Sequence, residues 1–158
     1  MKTLDFDGSN VGGLRRVFVI PDTSIGRLSK NYENGKYWME IVRSSEIIEL
    51  GLTLDTASAT ETAEPTEQGT EYILEVGGVC PKINSDNLAM YKKLERSYCH
   101  VLYTDQNGEL RFARNTKASL SKTTGTDLAD RNQIDIRFKR SNRCESFYIE
   151  PKGMEGYM

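Results

Sequence analysis

His100 is the only histidine in the 158-residue chain, and it lies between Cys99 and Val101. Nucleophilic catalysis of the Ser–His–Asp or Cys–His type needs an imidazole within hydrogen-bond reach of a nucleophile on a sharp turn. Residues around His100 alternate as in a β-strand, so Cys99 should project from the opposite face of that strand. This spacing favours a structural histidine over a catalytic one.

The cysteines do not indicate a metal site or a disulfide framework. Cys80, Cys99 and Cys144 are odd in number and far from any C-x-x-C spacing. Cys80 and Cys99 flank apolar strand residues, where a reduced, buried thiol acts as a small hydrophobic side chain. The carboxylates show no spacing that indicates a glycosidase pair, and no phosphate-binding loop occurs. We therefore predict no catalytic residue, no metal and no cofactor, and a protein that is not an enzyme.

The charges are divided unequally along the chain. Residues 1–88 contain 8 Lys and Arg against 14 Asp and Glu, whereas residues 89–152 contain 13 against 8. This division is typical of a subunit that docks its acidic side against the basic side of the next copy. In the alternative interpretation, the two halves fold together and their charges mix on one surface.

The N-terminus has no apolar stretch typical of a secretory signal, and the early apolar run 17–20 is too short to span a bilayer. We expect no membrane association and a protein that is cytoplasmic when synthesised.

The elements that would position these residues are mostly strands. Tyr37, Met39 and Ile41 alternate with Trp38, Glu40 and Val42, and this period of two predicts a β-strand. Segments 99–104 and 109–114 alternate on either side of Asp-Gln-Asn-Gly, which predicts a hairpin. Segment 134–139 is predicted to form a second hairpin with 143–149, and a further strand is expected over 47–54.

One helix and two polar loops complete the predicted fold. Leu88, Tyr91 and Leu94 form an apolar stripe that predicts a helix over about 87–97, capped by Ser85 or Asp86. Segments 55–70 and 115–132 contain few apolar residues and are predicted to be long polar loops. The first of them is also compatible with one long polar hairpin.

These elements predict a single domain over 1–158 with a mainly β fold. The expected architecture is an antiparallel β-sandwich or barrel of about seven to nine strands with one flanking α-helix. A ligand-binding module is an alternative, because Arg111, Phe112 and Arg114 interleave basic and aromatic groups as in OB-like domains. Strand alternation, however, directs Phe112 to the face opposite Arg111, as expected for core packing.

The sequence resembles small structural proteins of tailed bacteriophages and prophages, particularly those of Bacteroidetes hosts. Three segments carry the resemblance: 12–20 (GGLRRVFVI), 98–108 (YCHVLYTDQNG) and 134–138 (IDIRF). The resemblance implies a tail-tube, tail-completion or neck subunit of the virion. Such a subunit would assemble as a ring or tube with copies of itself and with other virion proteins.

On this interpretation, the two polar segments extend to neighbouring subunits and supply the assembly contacts. The candidate contact residues are Glu61, Glu64, Glu67, Lys117, Lys122 and Arg131. The alternatives are a β module that binds single-stranded nucleic acid or carbohydrate and, less favoured by the residues, a hydrolase.

Overall fold

The computed structural model describes residues 12–53, 55–81, 84–124 and 132–158. These residues form ten strands, one α-helix (α1, Ser85–Arg96) and three single-turn 3-10 helices. The strands are β1 (Leu14–Ile20), β2 (Ile25–Lys30), β3 (Tyr37–Ile41), β4 (Ile48–Glu49), β5 (Ser58–Thr66), β6 (Gly69–Cys80), β7 (Tyr98–Asp105), β8 (Leu110–Thr123), β9 (Gln133–Asn142) and β10 (Phe147–Tyr148). The mainly β class with one helix is confirmed.

Eight strands form one antiparallel sheet in the order β4-β1-β7-β8-β9-β6-β5, with β10 paired to β8 outside this order. The sheet curls until its two ends approach each other. Leu14 N, at the start of β1, donates to Ala57 O, just before β5, at 3.1 Å. Thr53 N, in the segment that links β4 to β5, donates to Val79 O of β6 at 2.7 Å. The result is the curved sheet expected for a sandwich or barrel.

The core is divided between the two faces of this sheet. Val17 and Val19 of β1 pack into the cluster inside the curve, whereas Phe18 and Ile20 pack into a second cluster outside it. The small sheet of β2 and β3 covers the outer cluster. A strand buried on both faces is a continuous apolar run in the sequence, as residues 17–20 are.

Helix α1 begins two residues earlier than the sequence predicts. Its N-cap is Asn84, whose side chain accepts a hydrogen bond from Asn87 N at 2.7 Å, and not Ser85 or Asp86. Tyr91 and Leu94 are buried against the inner cluster, as the stripe predicts.

The predicted loop over 55–70 is wrong, and the alternative of a long polar hairpin is confirmed. β5 and β6 pair without interruption from Ser58–Gly77 to Thr66–Gly69. Backbone hydrogen bonds hold this ladder, so β5 needs few apolar side chains. β6 is fixed in turn by β9 on its other edge.

The predicted loop over 115–132 is also wrong in its first half. β8 continues to Thr123 and pairs with β9, with Ala118 buried and Leu120 packed against the inner cluster. Residues 125–131 lie outside the described residues. The alternation of small or apolar residues with Ser and Lys was a strand signal that the polar composition obscured.

The hairpin of β7 and β8 is confirmed, but the second predicted hairpin is wrong. β9 lies between β8 and β6, so neither of its edges is free for the segment that follows it. β10 therefore crosses to the beginning of β8, where Phe147 pairs with Phe112. The strand expected over 47–54 is reduced to Ile48–Glu49.

Candidate functional site

The described residues include five of the six candidate contact residues, and Arg131 lies outside them. The exposed ones are Glu64 in β5, Glu67 in the turn after it, and Lys117 and Lys122 in β8. Glu61 differs, because its side chain is only 9% exposed. Its carboxylate is engaged inside the protein and does not face a neighbouring molecule.

Glu64 and Lys117 lie on the same outer face of the large sheet, three strands apart. The register places Lys117, Lys139, Glu75 and Thr60 in one row across β8, β9, β6 and β5. Glu64 lies four residues beyond Thr60 and so projects from the same face. This surface of β5, β6, β9 and β8, called the polar face below, has a basic side at β8 and an acidic side at β5.

Each side of the polar face contains two like charges directly opposite each other. Glu64 lies opposite Glu71, and Lys117 lies opposite Lys139. Opposed like charges destabilise a sheet. Lys139 is compensated by Glu75 at 2.9 Å, and Glu71 accepts a hydrogen bond from the Ser141 hydroxyl.

Glu64 and Lys117 make no ion pair with any other described residue. Glu64 is therefore an uncompensated negative charge at the β5 side of the polar face, where Glu71, bonded to a neutral hydroxyl, adds a second, and Lys117 is an uncompensated positive charge at the β8 side.

The acidic side ends at an open sheet edge. Among the described residues, β5 pairs only with β6, and its other edge has no strand partner beyond the contact of Ala57 with Leu14. Pro65, which has no N–H, occurs near the end of this strand, as is usual for an edge. An open edge of nine residues is a template for pairing with another chain.

A buried charge cluster holds β5 to the rest of the sheet. Glu61 accepts hydrogen bonds from Arg111 Nη2 at 2.7 Å and from Arg140 Nη2 at 3.4 Å. Ser146 adds two more, one from its backbone N–H and one from its hydroxyl, both at 2.8 Å. One carboxylate thus joins β5, β8, β9 and the segment between β9 and β10.

The cluster contains more positive than negative charge. The Arg140 side chain is 3% exposed and also donates to Cys144 O at 2.7 Å, and the Arg111 guanidinium lies 4.7 Å from the centre of the Tyr148 ring. The Nε atoms of both arginines are buried without a hydrogen-bond partner. One buried and one partly buried guanidinium beside a single carboxylate are costly to desolvate, so loss of the contacts of Glu61 should destabilise the fold.

His100 is buried, and both of its ring nitrogens are engaged. Nδ1 accepts a hydrogen bond from Asn115 N at 3.0 Å, so this nitrogen carries no proton. Nε2 then carries the proton and lies 3.1 Å from Asp22 Oδ1. Its ring also contacts Phe112, with centroids 5.7 Å apart. Neither nitrogen faces a hydroxyl or thiol, as a relay to a nucleophile would require.

The three cysteines are free, and two of them are buried. Burial raises the pKa of the Cys80 and Cys99 thiols. Tyr91 donates its hydroxyl hydrogen to Cys80 Sγ at 3.1 Å. Burial therefore favours the protonated, less reactive form of both thiols, and the Tyr91 hydrogen bond only partly offsets this at Cys80.

The described part of the chain contains no cluster of three or more metal-binding side chains. No helix in it is long and apolar enough to cross a membrane. Comparison of the chain with protein-family models, with curated proteins and with solved structures gives no match.

Proposed function

We propose that this protein is a non-enzymatic structural subunit of a tailed-phage or prophage virion. It assembles with copies of itself, or with other tail proteins, through the polar face and the open edge of β5. The sequence resemblance to phage tail and neck proteins supports the virion assignment. The arrangement of Glu64 and Lys117 supports the assembly.

The observation that carries the proposal is the pair of uncompensated charges. Glu64 and Lys117 each face a like charge on the neighbouring strand, an arrangement that costs stability in the isolated subunit. When the β5 side of one copy meets the β8 side of the next, Glu64 and Lys117 become neighbours of opposite sign. The same contact, repeated head to tail, closes a ring or continues as a tube.

The open edge of β5 adds a second, uncharged contribution. A strand of the next subunit that pairs with Ser58–Thr66 satisfies backbone groups for which the described residues provide no partner. Charge complementarity then sets the register, and backbone hydrogen bonds add affinity.

The non-enzymatic part of the proposal is supported by how the polar groups are used. Glu61 is hydrogen-bonded to both Arg111 and Arg140, and His100 is hydrogen-bonded through both nitrogens. These contacts stabilise the fold.

Charge reversal tests the assembly. Particle mass is measured by light scattering over a wide concentration range for the wild type, Glu64→Lys, Lys117→Glu and the double variant. We expect rings or tubes for the wild type, loss of them in each single variant, and their recovery in the double variant. Glu33→Lys, in the turn between β2 and β3, is the control with the same charge change and should assemble normally.

A wild type that stays monomeric at every concentration would refute self-assembly. Single variants that assemble as well as the wild type would refute the polar face as the contact. Each single variant removes a like-charge pair, so unfolding does not explain a loss of assembly, and circular dichroism of the monomers verifies this.

A further inference from the structure

Beyond assembly, we propose that an aromatic groove on the side of the protein binds single-stranded nucleic acid. The groove has a volume of about 310 Å³ and lies between the β2–β3 turn, the beginning of β6 and the segment that leads into β10. Its size is at the lower end of the usual range for small-ligand sites and suits one or two nucleotide units.

The lining of the groove is rich in aromatic side chains. Tyr37 and Phe147 stack on each other with ring centroids 4.4 Å apart, and Tyr72 and Tyr148 complete the aromatic surface. Tyr37 and Phe147 also contact the outer core cluster, so part of their role is packing. Tyr148 has no such role: its side chain is 41% exposed. An exposed ring in a concave site is a platform on which a base can stack.

The described lining of the groove contains two cations and one carboxylate. Lys30 and Arg143 line it, and Glu145 is the one carboxylate in the described lining. Lys30 makes no ion pair with a described residue, and the described partner of Arg143 is the neutral Gln68 side chain at 3.0 Å. Both cations are therefore available to phosphate groups.

The buried charge cluster adds a positive field from below. Arg111 lies against the Tyr148 ring, and Arg140 is bonded to the carbonyl of Cys144, which lines the groove. Glu61 neutralises one of these two guanidiniums. The groove thus combines stacking surface with excess positive charge, which is the recognition chemistry of a single nucleic-acid strand. That positive charge would not strengthen the binding of a neutral sugar.

Fluorescence anisotropy with a labelled oligothymidylate tests the inference. We expect binding at low salt that weakens as salt increases, with a log–log slope of about −1.4 if Lys30 and Arg143 each contact one phosphate. Tyr148→Ala should weaken binding roughly tenfold, since it removes the ring on which a base stacks. Tyr148→Phe, which keeps the ring, should bind like the wild type.

Variants of the groove cations and matched controls distinguish binding in the groove from binding elsewhere on the surface. Lys30→Gln and Arg143→Gln should each make the salt slope shallower, by about 0.7 for one lost phosphate contact. Tyr98→Ala and Lys92→Gln change an exposed tyrosine and an exposed lysine outside the groove and should have no effect.

No binding at low salt would overturn the inference. Equal losses in the groove variants and the controls would do so as well, because they would indicate nonspecific attraction. Stronger binding of a neutral oligosaccharide than of the oligonucleotide, lost in Tyr148→Ala, would replace nucleic acid with carbohydrate as the ligand. None of these outcomes depends on Glu64 or Lys117, so the groove and the assembly are tested separately.

Discussion

Glu61 Oε2 accepts a hydrogen bond from Arg111 Nη2 at 2.7 Å, although 50 positions separate the two residues in the chain. The same carboxylate contacts Arg140, which lies 79 positions away. Among the described strands β5 has one neighbour, β6, and this cluster fixes it to the opposite part of the curved sheet. The strand proposed as the assembly edge is therefore held to β6 by backbone hydrogen bonds and to β8 and β9 by buried charge.

Replacement of Glu61 by glutamine should strongly destabilise the protein. Glu61→Gln keeps the shape of the side chain but leaves Arg111 and Arg140 buried without a counter-charge, at a cost of about 3–5 kcal/mol. At this chain length the melting temperature should fall by roughly 10 °C. Glu64→Gln is the matched control on the same strand and should change stability by less than about 0.5 kcal/mol. Equal melting temperatures for the two variants would contradict the role of the cluster.

Gly77 should not tolerate any side chain. A Cβ at this buried position would overlap the carbonyl oxygen of Ile136 on the neighbouring strand β9, which cannot move without breaking the ladder. Gly77→Ala should cost about 3 kcal/mol, measured by urea unfolding. Gly51 is exposed and has nothing within 4 Å of its Cβ position, so Gly51→Ala should be nearly neutral. A neutral Gly77→Ala would show that β6 and β9 are further apart than described.

Acid should weaken the contact between β1 and β4. Arg16 binds both oxygens of Glu49, at 2.7 and 3.0 Å, and this hydrogen bonding lowers the pKa of Glu49 below its ordinary 4.5. A carboxyl with a lowered folded-state pKa stabilises the fold above its unfolded pKa and loses that contribution as the pH falls through the folded value. The pair is half exposed, so its contribution should be less than about 1 kcal/mol.

The unfolding free energies of the wild type and Glu49→Gln should therefore differ at pH 7 and converge below pH 4.5. Glu40→Gln removes a carboxylate that has no ion pair with a described residue. Its unfolding free energy should show the same pH dependence as that of the wild type. A difference for Glu49→Gln that stays constant with pH would show that its carboxylate does not interact with Arg16 in solution.

The sequence predicts best those elements whose packing requires a periodic pattern of apolar residues. The hairpin of β7 and β8 has alternating strands on both sides of a turn, and α1 has its stripe of Leu88, Tyr91 and Leu94. The sequence of β5 shows no such pattern, because an edge strand held by backbone hydrogen bonds can consist of Ser, Thr, Ala and Glu. The composition of this segment therefore predicts a loop, with a hairpin as the alternative.

The buried charge cluster could not be predicted for a related reason. Glu61 lies among threonines and alanines, and nothing local distinguishes it from the exposed Glu64 three residues later. Its burial is decided by Arg111 and Arg140, which the curved sheet brings to it from distant strands. The same holds for Tyr148, whose neighbours in the groove include residues from two other segments of the chain.

The position of β1 has a consequence for the order in which the chain folds during synthesis. β1 is the first described strand, yet it pairs with β7, so that Leu14 lies opposite Asp105. Until the ribosome has released β7, the apolar side chains of Val17–Ile20 have only the two residues of β4 as a strand partner. The nascent chain therefore exposes an aggregation-prone apolar segment during most of its translation. A chaperone that binds this segment should raise the yield of folded protein.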